Sequence, residues 1–315
     1  MSSPRLRVGF VPEHFSTPIH FAQKHYGLDA ELIPFPSGTG HMITALRAGE
    51  IDVGIGLTES WVAGLGQAQE AGDADGGYRL IGTYVETPLC WAISTGTERA
   101  EFQTVDSLRG RCIGVSRLGS GSHVMGYVLA KQRGWLVPPG GASPDDQQAS
   151  PYPPHAYRKI EILHTFENLR KAVNTGSIDF FMWEYFTSKR YYDKGEIRKI
   201  GEIYTPWSSW KIVASTRLIH GDGSLNATLE NMLERLDQGI KHFNDNIEEA
   251  VQYISTNLDY SEEDAREWLK TVRFAERTRG VEAEVVIQTV EALCSAGAFK
   301  NNKGVDASSM IAEQR

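Results

Sequence analysis

A motif that occurs once in each half of the chain constrains the fold more than any other feature. The first copy is Ala45-Leu46-Arg47-Ala48-Gly49-Glu50-Ile51-Asp52-Val53-Gly54, and the second is Ala172-Val173-Asn174-Thr175-Gly176-Ser177-Ile178-Asp179-Phe180-Phe181. Each reads as the last turn of a helix, a glycine that stops it, and an apolar strand led by Ile-Asp. Glycine just past a helix takes the left-handed conformation that ends it. Before the first copy lies the small-residue loop Ser37–Gly40, in which Ser37 and Thr39 read as helix caps. After its strand, Ile51–Ile55, comes Thr58–Trp61, which reads as a polar loop. The second strand ends at Met182-Trp183-Glu184-Tyr185, the counterpart of Leu57-Thr58-Glu59-Ser60. One copy per half is not a solenoid period. It indicates two α/β lobes of similar plan.

The flanking sequence fits this plan. Strands at Leu6–Val11, Ala30–Phe35 and Tyr78–Tyr84 alternate with helices, one of them opened by Pro18. The resulting β-α-β-α-β-α-β order predicts a parallel sheet. Leu89–Ser94, Cys112–Val115, Lys159–Leu163, Ile197–Ile203 and Trp210–Ser215 read as further strands, and His123 to Trp135 as a helix. From Leu225 on, the pattern is helical throughout. Leu229, Met232, Leu233, Leu236, Ile240 and Phe243 form one apolar stripe. Ser261 to Asp264 opens another helix with a capping-box pattern, Val281 to Ala296 is the last, and the polar tail after Phe299 reads as loose. Pro138 to Pro154 carries six of the thirteen prolines and reads as an exposed loop.

Composition excludes several function classes. A net charge of −8 without a dense Lys/Arg run argues against a nucleic-acid partner. No apolar run is long enough for a membrane span. Met1 to Arg7 has no apolar segment of the signal-peptide kind, so a cytoplasmic location is expected. Cys90, Cys112 and Cys294 are isolated, with neither zinc spacing nor a disulfide framework. No metal site and no cofactor are expected from the motifs.

The order of strand, proline-led helix, strand, Ser37–Gly40 loop and both motif copies resembles the type II periplasmic-binding-protein fold. The similar branch is that of nitrate, sulfonate and thiamine-pyrimidine substrate-binding proteins, in the manner of its cytosolic fungal-type members. The resemblance spans about residues 5 to 300. It implies two α/β lobes, each a mixed, mostly parallel sheet flanked by helices, that close by hinge motion on a ligand in the interlobe cleft. On this mapping lobe one is residues 1–88 plus 211–315 and lobe two is 89–210, with crossings near 86–89 and 205–210. The branch includes one enzyme, the fungal thiamine-pyrimidine precursor synthase. Aligned through Ile-Asp, its lysine falls on Gly56 and its histidine on Ser60, and its cysteine-rich iron motif has no counterpart. That chemistry is not expected here.

Candidate ligand-binding residues follow from these placements. His14 and Phe15 follow the first strand, and the histidine could donate to a ligand or shift protons. Ser37, Gly38, Thr39 and Gly40 in one lobe, and Ser116, Ser120, Gly121 and Ser122 in the other, precede helices and could offer hydroxyls and N–H groups to an anion. Arg117 could pair with that anion. Thr58 with Glu59, and Glu184 at the matching position, could bind a cation or form an acid–base pair. Trp61, Trp183 and Trp207 could stack on a flat ring. Each has a plainer alternative: a helix cap, a solvated arginine, a loop histidine, a surface carboxylate or core packing. The leading reading is a small-molecule binding protein whose ligand is heterocyclic, thiamine-pyrimidine-like, or small and anionic. The alternative is an enzyme on the same scaffold acting through His14, Glu59 or Glu184. A third is a ligand sensor that signals to a protein partner through the 138–154 loop.

Overall fold

Both sheets are assembled around strands that begin at the repeated motif. The computed structural model describes residues 5–136, 156–299 and 304–315, so the expected 138–154 loop lies outside the described residues. The described chain forms two compact units, residues 5–88, 207–289 and 304–315 in the first and 89–136, 156–206 and 290–299 in the second. The first begins with β1 (Leu6–Phe10), α1 (Thr17–Tyr26), β2 (Ala30–Pro34), α2 (Thr39–Ala48), β3 (Val53–Leu57), α3 (Thr58–Glu70) and β4 (Tyr78–Val85). The second contains β5 (Cys90–Gly96), β6 (Cys112–Val115), α4 (Gly121–Gln132), β7 (Lys159–Ile162), α5 (Phe166–Thr175), β8 (Phe180–Glu184), α6 (Tyr185–Asp193) and β9 (Ile197–Tyr204). The chain then returns to the first unit with β10 (Trp210–Ser215), α7 (Ala227–Asp245), α8 (Ile247–Asn257) and α9 (Glu262–Leu269). The last helix, α10 (Ala283–Ser295), starts in the first unit and ends in the second.

The first sheet has the order β2-β1-β3-β10-β4 and the second β7-β6-β8-β5-β9. β1 pairs in parallel with β2 and β3, whereas β10 is antiparallel to both β3 and β4. In the second sheet β6 is parallel to β7 and β8, and β5 is antiparallel to β8 and β9. Each is a mixed sheet with one reversed strand next to the motif strand. The parallel sheet read from residues 6–84 is interrupted by β10, which lies between β3 and β4 and makes the sheet mixed, mostly parallel, as the fold resemblance implies.

The motif itself sets the strand register. Gly49 and Gly176 close α2 and α5 at φ of +71° and +75°, where a Cβ would be strained. Asp52 N–H donates to the Arg7 carbonyl, and its carboxylate accepts from the Arg7 N–H at 3.0 Å. Asp179 repeats this on β6: its N–H donates to the Cys112 carbonyl, and its carboxylate accepts from the Cys112 N–H at 2.8 Å. A guanidinium anchors each carboxylate. Arg7 is bidentate on Asp52 at 2.9 and 2.7 Å, and Arg99 reaches Asp179 at 2.5 Å. Burial pushes the Asp52 carboxyl up, but the hydrogen bonds and charge of Arg7 outweigh it and hold the group below its usual range. The motif isoleucines pack over glycines of the neighbouring strand. A Cβ on Gly9 would lie 2.7 Å from the Ile51 side chain, and one on Gly114 would lie 2.3 Å from that of Ile178.

The α7 stripe is buried as its spacing predicts, from Leu229 to Phe243. Gly239 lets α7 approach α1 closely, since a Cβ there would lie 2.4 Å from the Pro18 carbonyl oxygen. Ser261 caps α9 by accepting from the Asp264 N–H at 3.0 Å. Two readings of the C-terminal region need correction. Residues 274–281 are not helical, and bridge to β4 at Phe274 and Gly280. Residues 304–315 are not loose. Ala312 N–H donates to the Leu80 carbonyl and Met310 is fully buried, so backbone pairing covers the free edge of β4.

Substituting Asp179 by Ala leaves the buried Cys112 N–H without its acceptor and Arg99 without its carboxylate. A loss on the order of 3 kcal/mol from the second unit is expected in urea unfolding, while Lys171→Ala, on the exposed side of α5, should change stability by less than about 0.5 kcal/mol.

Candidate functional site

In open α/β sheets the strand ends that face ligands are the carboxyl ends of the parallel strands. Each unit is therefore followed upward from those ends. In the first, β3 passes directly into α3, so Thr58–Trp61 is helix and not a loop. Thr39 Oγ1 accepts from the Leu57 N–H at 3.0 Å, which joins the start of α2 to the end of β3. The expected capping roles are corrected: Gly38, at φ +79°, occupies the cap position of α2 and no side chain caps it. The hydroxyl of Thr39 is committed to β3, and Ser37 is exposed. The N–H groups of Thr39 and Gly40 have no acceptor among the described residues, as expected of a helix's first turn.

The turn between β3 and α3 is fastened to residues 207–209. Thr58 Oγ1 donates to the Ser208 carbonyl at 2.6 Å, and Thr58 N–H to the Ser209 carbonyl at 3.0 Å. Trp207 Nε1 donates to Glu59 Oε2 at 3.2 Å. Glu59 is fully buried, and its Oε1 has no partner among the described residues. Burial raises its carboxyl to about 7, against the opposing pull of its own backbone N–H and of Trp207.

Sequence reasoning missed Lys211, which lies on β10 opposite Gly56 and Thr83. It is 1% exposed, and its Nζ donates to Thr83 Oγ1 at 3.0 Å and Ser208 Oγ at 2.5 Å. Burial lowers its ammonium to about 7, with Arg315 adding to the effect. A lysine inside the otherwise apolar run Trp210–Ala214 was the available signal. Gly56 itself has no room for a side chain, since a Cβ would meet Thr39 Oγ1 at 2.6 Å.

Three further candidates of the first unit are corrected from ligand contact to core packing. His14 is fully buried, with ring centroids 4.5, 4.4 and 4.3 Å from those of Phe15, Tyr260 and Trp268. Burial lowers its imidazole well below the usual range, so it is neutral. Phe15 stacks on Trp210 at 4.9 Å. Trp61 lies inside α3, where it meets Tyr78 edge-on at 5.4 Å and fills the space left by Gly54.

In the second unit the loop after β6 folds back on itself. Ser116 N–H donates to Ser122 Oγ at 3.0 Å, and Ser120 and Ser122 hydroxyls lie 2.9 Å apart. Ser120 Oγ also donates to the Arg117 carbonyl at 2.7 Å and, as the cap of α4, accepts from the His123 N–H. The serine hydroxyls are therefore engaged within the loop. The N–H groups of Gly121 and Ser122 have no acceptor among the described residues. Gly119 N–H donates to His123 Nδ1 at 3.1 Å, and burial lowers His123 to about 4, leaving it neutral. Arg117 is half-buried and has no carboxylate partner among the described residues. Burial alone lowers its guanidinium from the ordinary value.

Glu184 and Trp183 behave differently from expectation. Glu184 caps α6, accepting from the Thr187 N–H at 2.6 Å, and burial raises its carboxyl to about 7. The ring of Trp183 stacks on Phe166 at 4.9 Å and 11°, so its face is engaged. The two carboxylates share a position in the plan but not a role.

Comparison with known proteins places this architecture. The family model described as Ca3427-like periplasmic binding proteins matches residues 91–203. The conserved Candida albicans CA3427 gene product, described as defining a new family with the generic periplasmic-binding-protein fold, is 37% identical. That match covers 99% of this chain and 96% of the other, with a TM-score of 0.81. The alkanesulfonate-binding protein SsuA from Xanthomonas axonopodis pv. citri, bound to MOPS, is 17% identical over 98% of this chain and 99% of its own, with a TM-score of 0.71. The aliphatic sulphonate binding protein SsuA from Escherichia coli is 19% identical over 98% of each, with a TM-score of 0.68. These two share the fold. A comparison with curated proteins returns no match. Two mixed five-stranded sheets flanked by helices, and an identity of 37% over nearly the whole of both chains, make this chain a member of the Ca3427-like family with the periplasmic-binding-protein fold.

Proposed function

We propose that this protein binds a small anionic molecule and that Arg117 anchors it. The fold is that of small-molecule binding proteins. The observation that carries the finer reading is a half-buried guanidinium, partly stripped of water, with no carboxylate beside it among the described residues. Such a cation lowers its free energy by taking an anion. The adjoining N–H groups of Gly121 and Ser122, at the positive end of α4, add donors on the same loop. The flat heterocycle considered from sequence loses support. Trp61 is core, Trp183 is stacked on Phe166, and Trp207 is bonded to Glu59. Carboxylates, phosphates and sulfonates all fit, and sulfonates are named as ligands of two proteins with this fold.

Two parts of the reading rest on the family's plan. We propose that the lobes close on the ligand by hinge motion, which ligand-dependent small-angle scattering would detect. We also propose a cytoplasmic location, with which three cysteines that are not disulfide-bonded are in keeping; imaging of a tagged chain tests this.

A second reading is favoured by one observation. Glu59, buried and raised to about 7 with one oxygen unpartnered, has the character of a general acid or base. Catalysis by Glu59 requires turnover of a bound metabolite that Glu59→Gln abolishes. Binding without turnover leaves the first reading alone.

Two measurements are decisive for these readings. A thermal-shift panel of small carboxylates, phosphates and sulfonates should raise the melting temperature, as any ligand of the native state does. Arg117→Ala should weaken the best ligand by about 2 kcal/mol, and a panel without any shift contradicts the proposal. The pH dependence of stability reports on Glu59. Its folded value, about 7, lies above its ordinary 4.5, so the folded state holds the proton more tightly. Stability then falls as pH rises from about 4.5 to about 7, by on the order of 3 kcal/mol from this group. Glu59→Gln should remove that part of the slope in urea melts between those limits. Lys211, lowered to about 7 from 10.5, has the opposite effect at higher pH: stability rises from about 7 to 10.5, and Lys211→Met should flatten that limb.

A further inference from the structure

We infer that His25, His242 and Glu249 form a site for a divalent transition metal of the zinc class, on the helical side of the first unit. The three side chains come from α1, α7 and α8, and one ligand atom of each lies within 4.8 Å of the other two. His25 Nε2 is 2.9 Å from Glu249 Oε1, and His242 Nε2 is 2.9 Å from Glu249 Oε2. One carboxylate thus faces both imidazoles. The two rings stack at 4.2 Å and 18°, which aligns their edges toward Glu249. A divalent ion between them would satisfy all three groups together. Two nitrogens and one carboxylate are a ligand set for zinc, and a water completes four-coordination where His25 is exposed.

The surroundings support ligation. The second nitrogen of His242, Nδ1, is 3.1 Å from the Tyr26 hydroxyl. That contact fixes the ring and leaves Nε2 facing Glu249, as outer partners of metal-bound histidines do. Glu249 is the common partner of His25, His242 and Lys24. The ammonium of Lys24 lies 2.8 Å from Glu249 Oε1 and competes for it; it must give way for the ion to enter. The helices themselves are fixed in place by the close approach at Gly239 and the packing of Phe21 against His242 and Phe243. The three ligands need only small side-chain rotations. A bound ion would tie α1, α7 and α8 together.

The test uses the full-length protein, freed of metal with a chelator, titrated with Zn2+ by calorimetry and with Co2+ by visible absorption at pH 7.5. One equivalent is expected to bind, with a Co2+ spectrum of four-coordinate type and a rise in melting temperature. His25→Gln and Glu249→Gln should each weaken binding at least about tenfold, and Tyr26→Phe by about tenfold. Lys24→Ala should tighten it. Lowering the pH to 5.5 should weaken binding in the parent protein, because protons compete for both imidazoles. His25 is exposed, so His25→Gln tests the site even where a variant of the more buried His242 fails to fold. Absence of binding, or binding that His25→Gln leaves unchanged, overturns the assignment.

Discussion

The architecture depends on one interaction used twice: an aspartate that pairs with the backbone of the neighbouring parallel strand. Asp52 takes the Arg7 N–H and returns its own N–H to the Arg7 carbonyl, and Asp179 does the same with Cys112. A strand shifted by one residue would turn its apolar face outward. The aspartate prevents this, since in any other register a buried N–H and a carboxylate would lose their partners. The isoleucine before it adds a steric key, seated over Gly9 in one sheet and Gly114 in the other. The repeated motif therefore records how a parallel strand is aligned.

Alignment of these strands determines what stands at their carboxyl ends. In the first unit the end of β3 meets Thr39, and the following turn is fastened to residues 207–209, so Glu59, Trp207 and Lys211 are buried and interlinked with neutral donors and acceptors. In the second unit the serines after β6 satisfy one another, leaving Arg117 as the charge of that loop. The contrast is what favours the proposed anion over a flat ring. Stacking on a ring needs exposed aromatic faces, and the candidate tryptophans are engaged with the protein itself. Anion recognition needs a desolvated cation with spare donors, which the Arg117 loop supplies.

Much of the fold was legible in the sequence because its signals are local. Gly49 and Gly176 as helix stops, the Leu229 to Phe243 stripe and the Ser261 cap each depend on neighbours within a few residues. The reversed strand was not legible, since β10 reaches its place between β3 and β4 from far along the chain. Site residues fared less well for the same reason. Nothing near His14 in sequence announces Tyr260 or Trp268, and nothing near Trp61 announces Tyr78. His25, His242 and Glu249 converge only because α1 packs on α7. Lys211 offered a local hint, as a charge in an apolar strand, and Arg117 was identified through its glycine- and serine-rich loop. Whether a side chain at the strand-end positions marked by the fold resemblance faces solvent or core is settled by packing.

The proposed anion-binding loop is separate from the alignment motif. Amide chemical shifts in two-dimensional NMR, recorded while a small anion from the thermal-shift panel is added, test that separation most directly. The prediction is saturable shifts at Gly121 and Ser122 that Arg117→Ala suppresses, with the Arg7 and Cys112 amides unmoved. Shifts centred on Arg7 and Cys112, or none at Gly121 and Ser122 with a ligand that raises the melting temperature, would contradict it.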